Sequence, residues 1–294
     1  MAASAASVTS VGVVAARAED AKVTDQSVID SRVKIAFEGA FFPNNVHSAD
    51  KLGNSDKLGM GDSKNQFSGS IALTKQISND LDWRLAGAFH VGKDWSVGAS
   101  ETVPGGTLAA SLSDGFSFQT VDFDIGKHVK VQTADIRFFG GLRLLHADQK
   151  GFDYSFSATP TDPADKGGTY DKIGTSEYWG VGPRVGAEAY YPLGETWGLT
   201  GGVSGSVMWG RRTDRLGATL TNNEGGRQSA TFFSESSNET VANVDASAGL
   251  SWTPLKGATF TAGYKIEQWH NLLENSDHRN QTFDGPFLRL EVKM

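Results

Sequence analysis

The clearest pattern of hydrophobic and polar positions is an alternation that runs from Tyr178 to Trp209. Every second residue from Trp179 to Tyr191 is apolar, whereas the positions between them carry glycines, Arg184 and Glu188. A period of two is that of a β-strand whose two faces meet different surroundings. After a Pro-Leu-Gly-Glu turn the alternation resumes, so the segment predicts a hairpin of two long amphipathic strands.

The same alternation recurs along the chain and predicts about ten strands. They cover residues 32–42, 66–77, 81–91, 116–126, 133–145, 178–191, 197–209, 241–252, 258–269 and 288–294. Short turns join the second strand to the third, the fourth to the fifth (at Lys127–Lys130), the sixth to the seventh and the eighth to the ninth. Long polar loops cover residues 43–65, 93–114, 149–175, 211–238 and 271–284.

This strict alternation of turns and loops is typical of an up-and-down antiparallel β-barrel of the bacterial outer membrane. Such barrels have an even number of strands, short periplasmic turns, long extracellular loops and both termini in the periplasm. Closure leaves no unpaired strand edge in lipid. Gly and Arg on the face opposite the apolar one fit a lumen better than the core of a soluble sandwich.

Composition narrows the class of protein further. The chain has 294 residues, no Cys and a net charge of -7. Its mean hydropathy of -0.32 argues against helical membrane spans. The missing Cys excludes disulfides, thiolate metal sites and Cys nucleophiles. An acidic chain without a basic cluster gives no support for nucleic-acid binding.

The first 30 residues stand apart from the strand pattern. A small-residue run ends in Ala16-Arg17-Ala18, which resembles a signal-peptide cleavage site, although no basic residue precedes the run. Residues 1–30 are therefore predicted to be a leader remnant or a disordered N-terminus. Residues 31–294 are predicted to form a single barrel domain.

Aromatic side chains recur at both ends of the predicted strands, as in the interface girdles of membrane barrels. About 12 residues separate the two levels, which spans roughly 30 Å for tilted strands. Trp269 falls on the inward face, for which a bulge or loop packing is the expected explanation. The predicted girdle comprises Trp83, Trp179, Tyr191, Trp197, Trp209 and Trp252.

The inward face carries both signs of charge in equal number when Lys293 is counted with the residues named below. Because a ten-strand barrel is narrow and an unpaired charge there is costly to desolvate, these side chains are expected to pair. They would form either a salt-bridged filling or a narrow charge-lined pore. The predicted lumen residues are Lys34, Glu38, Arg84, Asp122, Asp124, Asp135, Arg137, Arg143, Arg184, Glu188, Asp245, Lys265, Glu267, Arg289 and Glu291.

Signals for catalysis, cofactors and metals are weak. Gly180, Gly182 and Gly186 miss the dinucleotide-binding fingerprint and lie on a strand. The six His are scattered, without a metal-ligand pair. No enzymatic activity and no cofactor are expected. An outer-membrane protease would need His/Asp sets at the loop-side strand ends, where His90 with Asp94 and His146 with Asp148 lie.

Four runs resemble the Legionella major outer membrane protein family of pore-forming barrels. They are VDFDIGKHV (121–129), DIRFFGGLRLLHADQ (135–149), WGVGPRVGAEAYYPLG (179–194) and AGYKIEQWHNL (262–272), with G-V-G-P-R the most specific. The resemblance implies an outer-membrane barrel with porin activity as its customary label, and no catalytic residues.

The function expected from these features is a porin-like passive channel for small solutes. The alternative is a non-conducting structural or adhesive barrel that acts through its extracellular loops. A soluble lipocalin-like binder would need an apolar lumen and a charged exterior, the reverse of the observed pattern. The expected partners are outer-membrane lipid and lipopolysaccharide, the barrel-assembly machinery and proteins bound by the loops.

Overall fold

The computed structural model describes residues 33–43, 66–92, 95–162, 167–222, 224–272 and 280–294. The predicted leader (1–30) lies outside these ranges. Eleven strands fill most of the described chain. They are β1 (Val33–Phe42), β2 (Gln66–Gln76), β3 (Leu81–Gly92), β4 (Trp95–Val103), β5 (Gly106–Val131), β6 (Ala134–Pro160), β7 (Gly168–Pro192), β8 (Trp197–Asn222), β9 (Arg227–Leu255), β10 (Ala258–His270) and β11 (Asn280–Lys293).

Ten of these strands close into a ring. Every neighbouring pair is antiparallel, β1 pairs with β11, and β3 pairs with the second half of β5. The remaining strand, β4, pairs with the first half of β5, above the point where β3 ends. The predicted ten-strand antiparallel barrel is thus confirmed, with β4 as an addition. Within the ranges above, no helix is long and apolar enough to cross a membrane.

The pairing registers fix the tilt and width of the barrel. Starting at Trp252 on β9, each residue can be followed to its paired residue on the next strand until the ring is complete. This path returns to β9 at Thr240, so the displacement along β9 is 12 residues (252 minus 240). A ten-strand ring with this stagger has strands tilted by about 40° and a backbone radius of about 10 Å. Side chains from opposite walls can therefore meet inside.

Side chains alternate between an exposed apolar outer face and a buried inner face. On β8, Leu199, Val203 and Val207 are exposed, whereas Ser204 and Ser206 are buried. The outer face is the one that lipid would cover, because a contiguous apolar surface of this extent is not normally left in water.

The predicted girdle residues lie on the outer face at two levels. Trp179 and Trp209 mark one level, and Tyr191, Trp197 and Trp252 mark the other; all five are exposed. Trp83 is half-buried and packs against Phe123, with ring centroids 6.4 Å apart. The level near the turns at 77–80, 132–133, 193–196 and 256–257 is called the turn side, and the other end the loop side.

Three of the predicted long loops are wrong, because strands continue through most of residues 93–114, 149–175 and 211–238. β5 to β9 have 25 to 29 residues and remain paired far beyond the loop-side aromatic level. From Trp209 to Asn222 the sheet rises roughly 30 Å at the tilt given above. Both faces of this outer sheet meet water, so its residues show no apolar alternation to reveal the strands.

The turn predicted at Lys127–Lys130 is also misplaced. These residues pair with β6, and the chain reverses at Gln132–Thr133, where Gln132 adopts a left-handed backbone conformation with φ of 56°. The longer hairpin keeps His128 inside the ladder, where its ring reaches the lumen.

The glycine-rich face of β7 allows close approach inside the barrel. A Cβ at Gly182 would overlap the carbonyl oxygen of Val207, and a Cβ at Gly186 would meet the ring of Phe139. The glycines are therefore needed for packing, whereas a Cβ at Gly87 on β3 would meet nothing within 4 Å.

We expect Gly182→Ala to lower the free energy of unfolding by about 1–3 kcal/mol, the usual result of overpacking. Gly87→Ala is the matched control and should change it by less than about 0.5 kcal/mol. Urea unfolding of the detergent-refolded barrel, followed by heat-modifiable gel mobility, measures both. Equal midpoints for the two variants would contradict the close approach at Gly182.

Candidate functional site in the barrel interior

Hydrogen bonds between strands that are not neighbours cross the lumen. Arg84 on β3 pairs with Glu188 on β7, although β5 and β6 lie between them in the ring. Arg143 on β6 donates from Nη1 to Oδ1 of Asn243 on β9 at 2.6 Å. Such bonds can pass only through the interior, so these side chains fill the space enclosed by the ring.

Arginine–carboxylate pairs form the middle of this filling. Arg143 binds Asp122 with two bonds of 2.7 Å each, from Nε to Oδ1 and from Nη2 to Oδ2. Asp124 Oδ2 accepts from Arg184 at 2.7 Å and from Arg84 at 3.1 Å. Bidentate and shared pairs of this kind are the strong form of charge-assisted hydrogen bond.

Arg184 also links to the next two strands of the ring through a hydroxyl group. Its Nη2 donates to Ser204 Oγ at 2.9 Å, and Ser204 in turn donates to Asp245 Oδ2 at 2.6 Å. The chain of bonds joins β7, β8 and β9 without a gap.

The turn-side end of the interior contains a cluster of charged side chains, of which the sequence predicted Arg137 and Asp135 but not Asp82 and His128. Asp82 accepts from Arg137 Nη2 at 2.6 Å, and His128 lies between Asp82 and Asp135 at 2.8 and 2.9 Å. Asp82 has the inward parity of Arg84 and could have been found by counting residues along β3. His128 was not predicted to face the lumen because the predicted turn lies about four residues before the observed one.

A single aromatic ring organises three of the arginines. The guanidinium carbons of Arg84, Arg137 and Arg184 lie 5.1, 5.0 and 4.7 Å from the centroid of Phe139. Guanidinium groups are attracted to the face of an aromatic ring. The Phe139 ring thus stabilises three guanidinium groups close to one another, and the carboxylates bound to these arginines neutralise their charges.

A second group lies where β1, β10 and β11 meet. Glu38 binds Lys265 at 2.9 Å and Arg289 at 2.8 Å, and Lys265 also contacts Glu267 at 2.9 Å. Nearer the turn side, Lys34 pairs with Glu291 at 3.3 Å. Each of the fifteen predicted lumen residues therefore contacts an ionisable partner of opposite sign.

The loop-side end of the interior is apolar. The imidazole of His90 lies between the rings of Phe42 and Phe118, at 5.2 and 4.2 Å between centroids, and Phe283 packs against all three. Buried aliphatic side chains complete this loop-side cluster, namely Leu145, Met208, Val241 and Leu272. The lumen is thus closed at this level.

Trp269 belongs to the same loop-side cluster. It is 1% exposed and packs edge-on against Phe118 with centroids 4.8 Å apart. Its strand pairs without a register shift at this point, so of the two expected explanations the bulge is excluded. The inward position of Trp269 is favourable because its ring is buried among the other apolar side chains of the loop-side cluster.

Polar side chains keep more contact with solvent at the turn side than in the middle. The Lys34 and Arg289 side chains are 35% and 31% exposed, whereas that of Asp124 is fully buried. The interior therefore has a shallow vestibule that opens at the turn side beside Lys34 and Arg289 and ends at the buried arginine–carboxylate pairs.

The His/Asp sets considered for a protease do not form one site. His90 is buried within the loop-side cluster, whereas His146 stacks on the exposed Trp179 on the outer face. Asp148 is exposed beside His146, and Asp94 lies outside the described residues.

The face of the outer sheet that continues the barrel interior carries a row of apolar side chains. Phe156 pairs with Tyr170, and Tyr170 pairs with Leu220, on three adjacent strands. Tyr170 has the parity of the inward-facing Tyr178 and β7 pairs regularly with β8 between them. Phe156 and Leu220 are exposed, so the row is an apolar surface above the loop-side cluster.

The sequence matches, over residues 65–294, the family described as Legionella pneumophila major outer membrane protein precursor. The chain belongs to this family. It is accordingly a bacterial outer-membrane β-barrel protein, as its resemblance to these proteins had implied. No curated protein matches the sequence.

The chain is similar to several solved structures of outer membrane proteins. A major outer membrane protein from Thermus thermophilus is 11% identical with a TM-score of 0.38, covering 90% of this chain and 99% of that one. The outer membrane protease OmpT from Escherichia coli is 9% identical with a TM-score of 0.43, covering 91% and 98%. An outer membrane channel from Pseudomonas putida is 8% identical with a TM-score of 0.30, covering 92% and 99%. At these TM-scores the likenesses carry no functional conclusion.

We expect Arg143→Ala to lower the free energy of unfolding by about 3–5 kcal/mol, because it leaves the buried carboxylate of Asp122 without its bidentate partner. Lys127→Ala is the control: the lysine side chain is 66% exposed and lies 4.0 Å from Asp80. Its loss should cost less than about 1 kcal/mol. Urea unfolding in detergent compares the two, and equal effects would contradict a stabilising interior network.

Proposed function

We propose that this protein is a non-conducting structural or adhesive barrel in the outer membrane, which acts through the part that rises above the loop-side aromatic level. The observation that carries the proposal is the filled interior. Arg84 pairs with Glu188 across the lumen, Arg143 donates to Asn243 in the same way, and the loop-side cluster closes the lumen above them. A solute would have to break buried pairs and displace packed rings to pass.

The outer sheet supplies the surface for such a role. Five adjacent strands continue beyond the loop-side aromatic level, and the Phe156, Tyr170 and Leu220 row gives this surface apolar contact area. Exposed apolar groups on an otherwise polar surface are typical of protein contact sites. With the loops outside and the termini in the periplasm, the row would face extracellular partners, and lipopolysaccharide would surround the girdle.

A porin-like channel is the second candidate. The partial exposure of Lys34, Arg289 and Glu291 favours it, because a vestibule of balanced charges is already open to water at the turn side. Conduction would then require the loop-side cluster to move. Neither function requires catalysis or a cofactor.

We expect the wild-type protein, purified in detergent in its heat-modifiable form, to give no stable conductance steps in a planar bilayer. Phe118→Ala should produce steps, because it removes a ring from the loop-side cluster. Phe89→Ala is the control, since Phe89 is exposed on the outer face near the same level. Stable steps of defined size in the wild type would overturn the proposal in favour of the channel.

Adhesion tests the outer sheet separately. We expect a triple variant, Phe156→Ser, Tyr170→Ser and Leu220→Ser, to lower the retention of intact expressing cells on protein-coated plates. The matched control is Leu199→Ser, which changes an exposed apolar residue on the membrane level of the outer face. Unchanged retention of cells that carry normal amounts of folded triple variant would exclude an adhesive role for this row.

A further inference from the structure

Four polar and aromatic side chains meet on the outer face of the barrel at the loop-side aromatic level. His146 on β6 pairs with Trp179 on β7, and Asp148 pairs with Glu177 one step further out. Alternation along both strands places all four on the same face. Asp148 and Glu177 lie beyond the girdle, where lipid headgroups and water begin.

The ligand atoms of this group have the spacing of a coordination shell. His146 Nε2 lies 3.4 Å from Asp148 Oδ2 and 3.5 Å from Glu177 Oε1, and one atom of each residue lies within 4.8 Å of the others. These separations exceed those of N–H···O hydrogen bonds. They match the distance of about 3.4 Å between two ligands that each lie about 2.1 Å from a tetrahedral zinc ion.

Neighbouring contacts hold the ligands in place. The His146 ring stacks on Trp179 with centroids 3.9 Å apart, and its buried Nε2 makes no hydrogen bond within the described part of the chain. Trp179 Nε1 donates to Glu177 Oε1 at 2.9 Å. Partners that orient ligands in this way are a usual feature of metal sites.

The second carboxylate oxygen of Glu177 has a cationic neighbour of its own. Arg215 approaches the other carboxylate oxygen, Oε2, at 3.9 Å. Oε1 therefore remains directed towards His146.

We propose that His146, Asp148 and Glu177 form a binding site for a divalent transition-metal ion on the outer surface. One imidazole and two carboxylates are a donor set that suits zinc, and three protein ligands leave a further position for water. Calcium prefers oxygen ligands alone, so the imidazole discriminates against it.

The test is isothermal titration of the chelator-treated, detergent-refolded full chain with ZnCl₂ at neutral pH, and with CaCl₂ in parallel. We expect one saturable zinc site for each chain and no comparable calcium site. His146→Ala and Glu177→Gln should each weaken zinc binding at least about tenfold. His270→Ala, which removes another exposed imidazole, should bind zinc as the wild type does.

Cobalt gives a second readout that does not depend on heat. The visible absorption of bound Co²⁺ should appear with the wild type and His270→Ala and be lost with His146→Ala. Heat-modifiable mobility verifies that each variant is folded. The proposal fails if the wild type takes up no zinc, or if folded His146→Ala binds it as tightly as the wild type.

Discussion

The structure depends on the closure of its ring of backbone hydrogen bonds. Lipid offers no partner to an unpaired N–H or C=O group, so a sheet in the membrane must have no free edge. Closure with a return displacement of 12 residues sets the strand tilt, and the tilt with the strand number sets a radius of about 10 Å. That radius decides what the interior can contain, because an arginine on β3 can reach a carboxylate on β7 across the lumen.

The cost of desolvating the interior charges is offset because several of these groups bind two or more partners. A buried pair stabilises a fold only when its geometry is good and its remaining polar atoms are also satisfied. Asp124 serves two guanidinium groups, Glu38 serves two cations, and Arg184 reaches Asp245 through the Ser204 hydroxyl. Removal of one member therefore disturbs several walls of the barrel, which ties the interior network to the stability of the whole ring.

The membrane-level strands could be predicted because lipid and lumen impose opposite chemistry on alternate residues, as from Trp179 to Tyr191. Beyond that level the constraint ends, and the paired strands of residues 211–238 look like a polar loop in the sequence. The inward position of Trp269 could not be explained from the sequence, because the alternation does not reveal an apolar cluster inside the barrel. The cluster at His146 was overlooked because its residues come from two strands, although the His-x-Asp spacing alone already places two of them on one face.

The pairing of interior charges also determines how the barrel would respond to an electric field. A membrane potential does work only on charge that moves, at about 2.3 kcal/mol per elementary charge for 100 mV. In the described interior the cations and carboxylates are bound to one another, so a field pulls the two members of each pair in opposite directions and displaces little net charge. A membrane potential should therefore have little effect on the conformation of this barrel. A mechanical force on the outer sheet, in contrast, would be transmitted along β6 and β7 to Arg143 and Arg184.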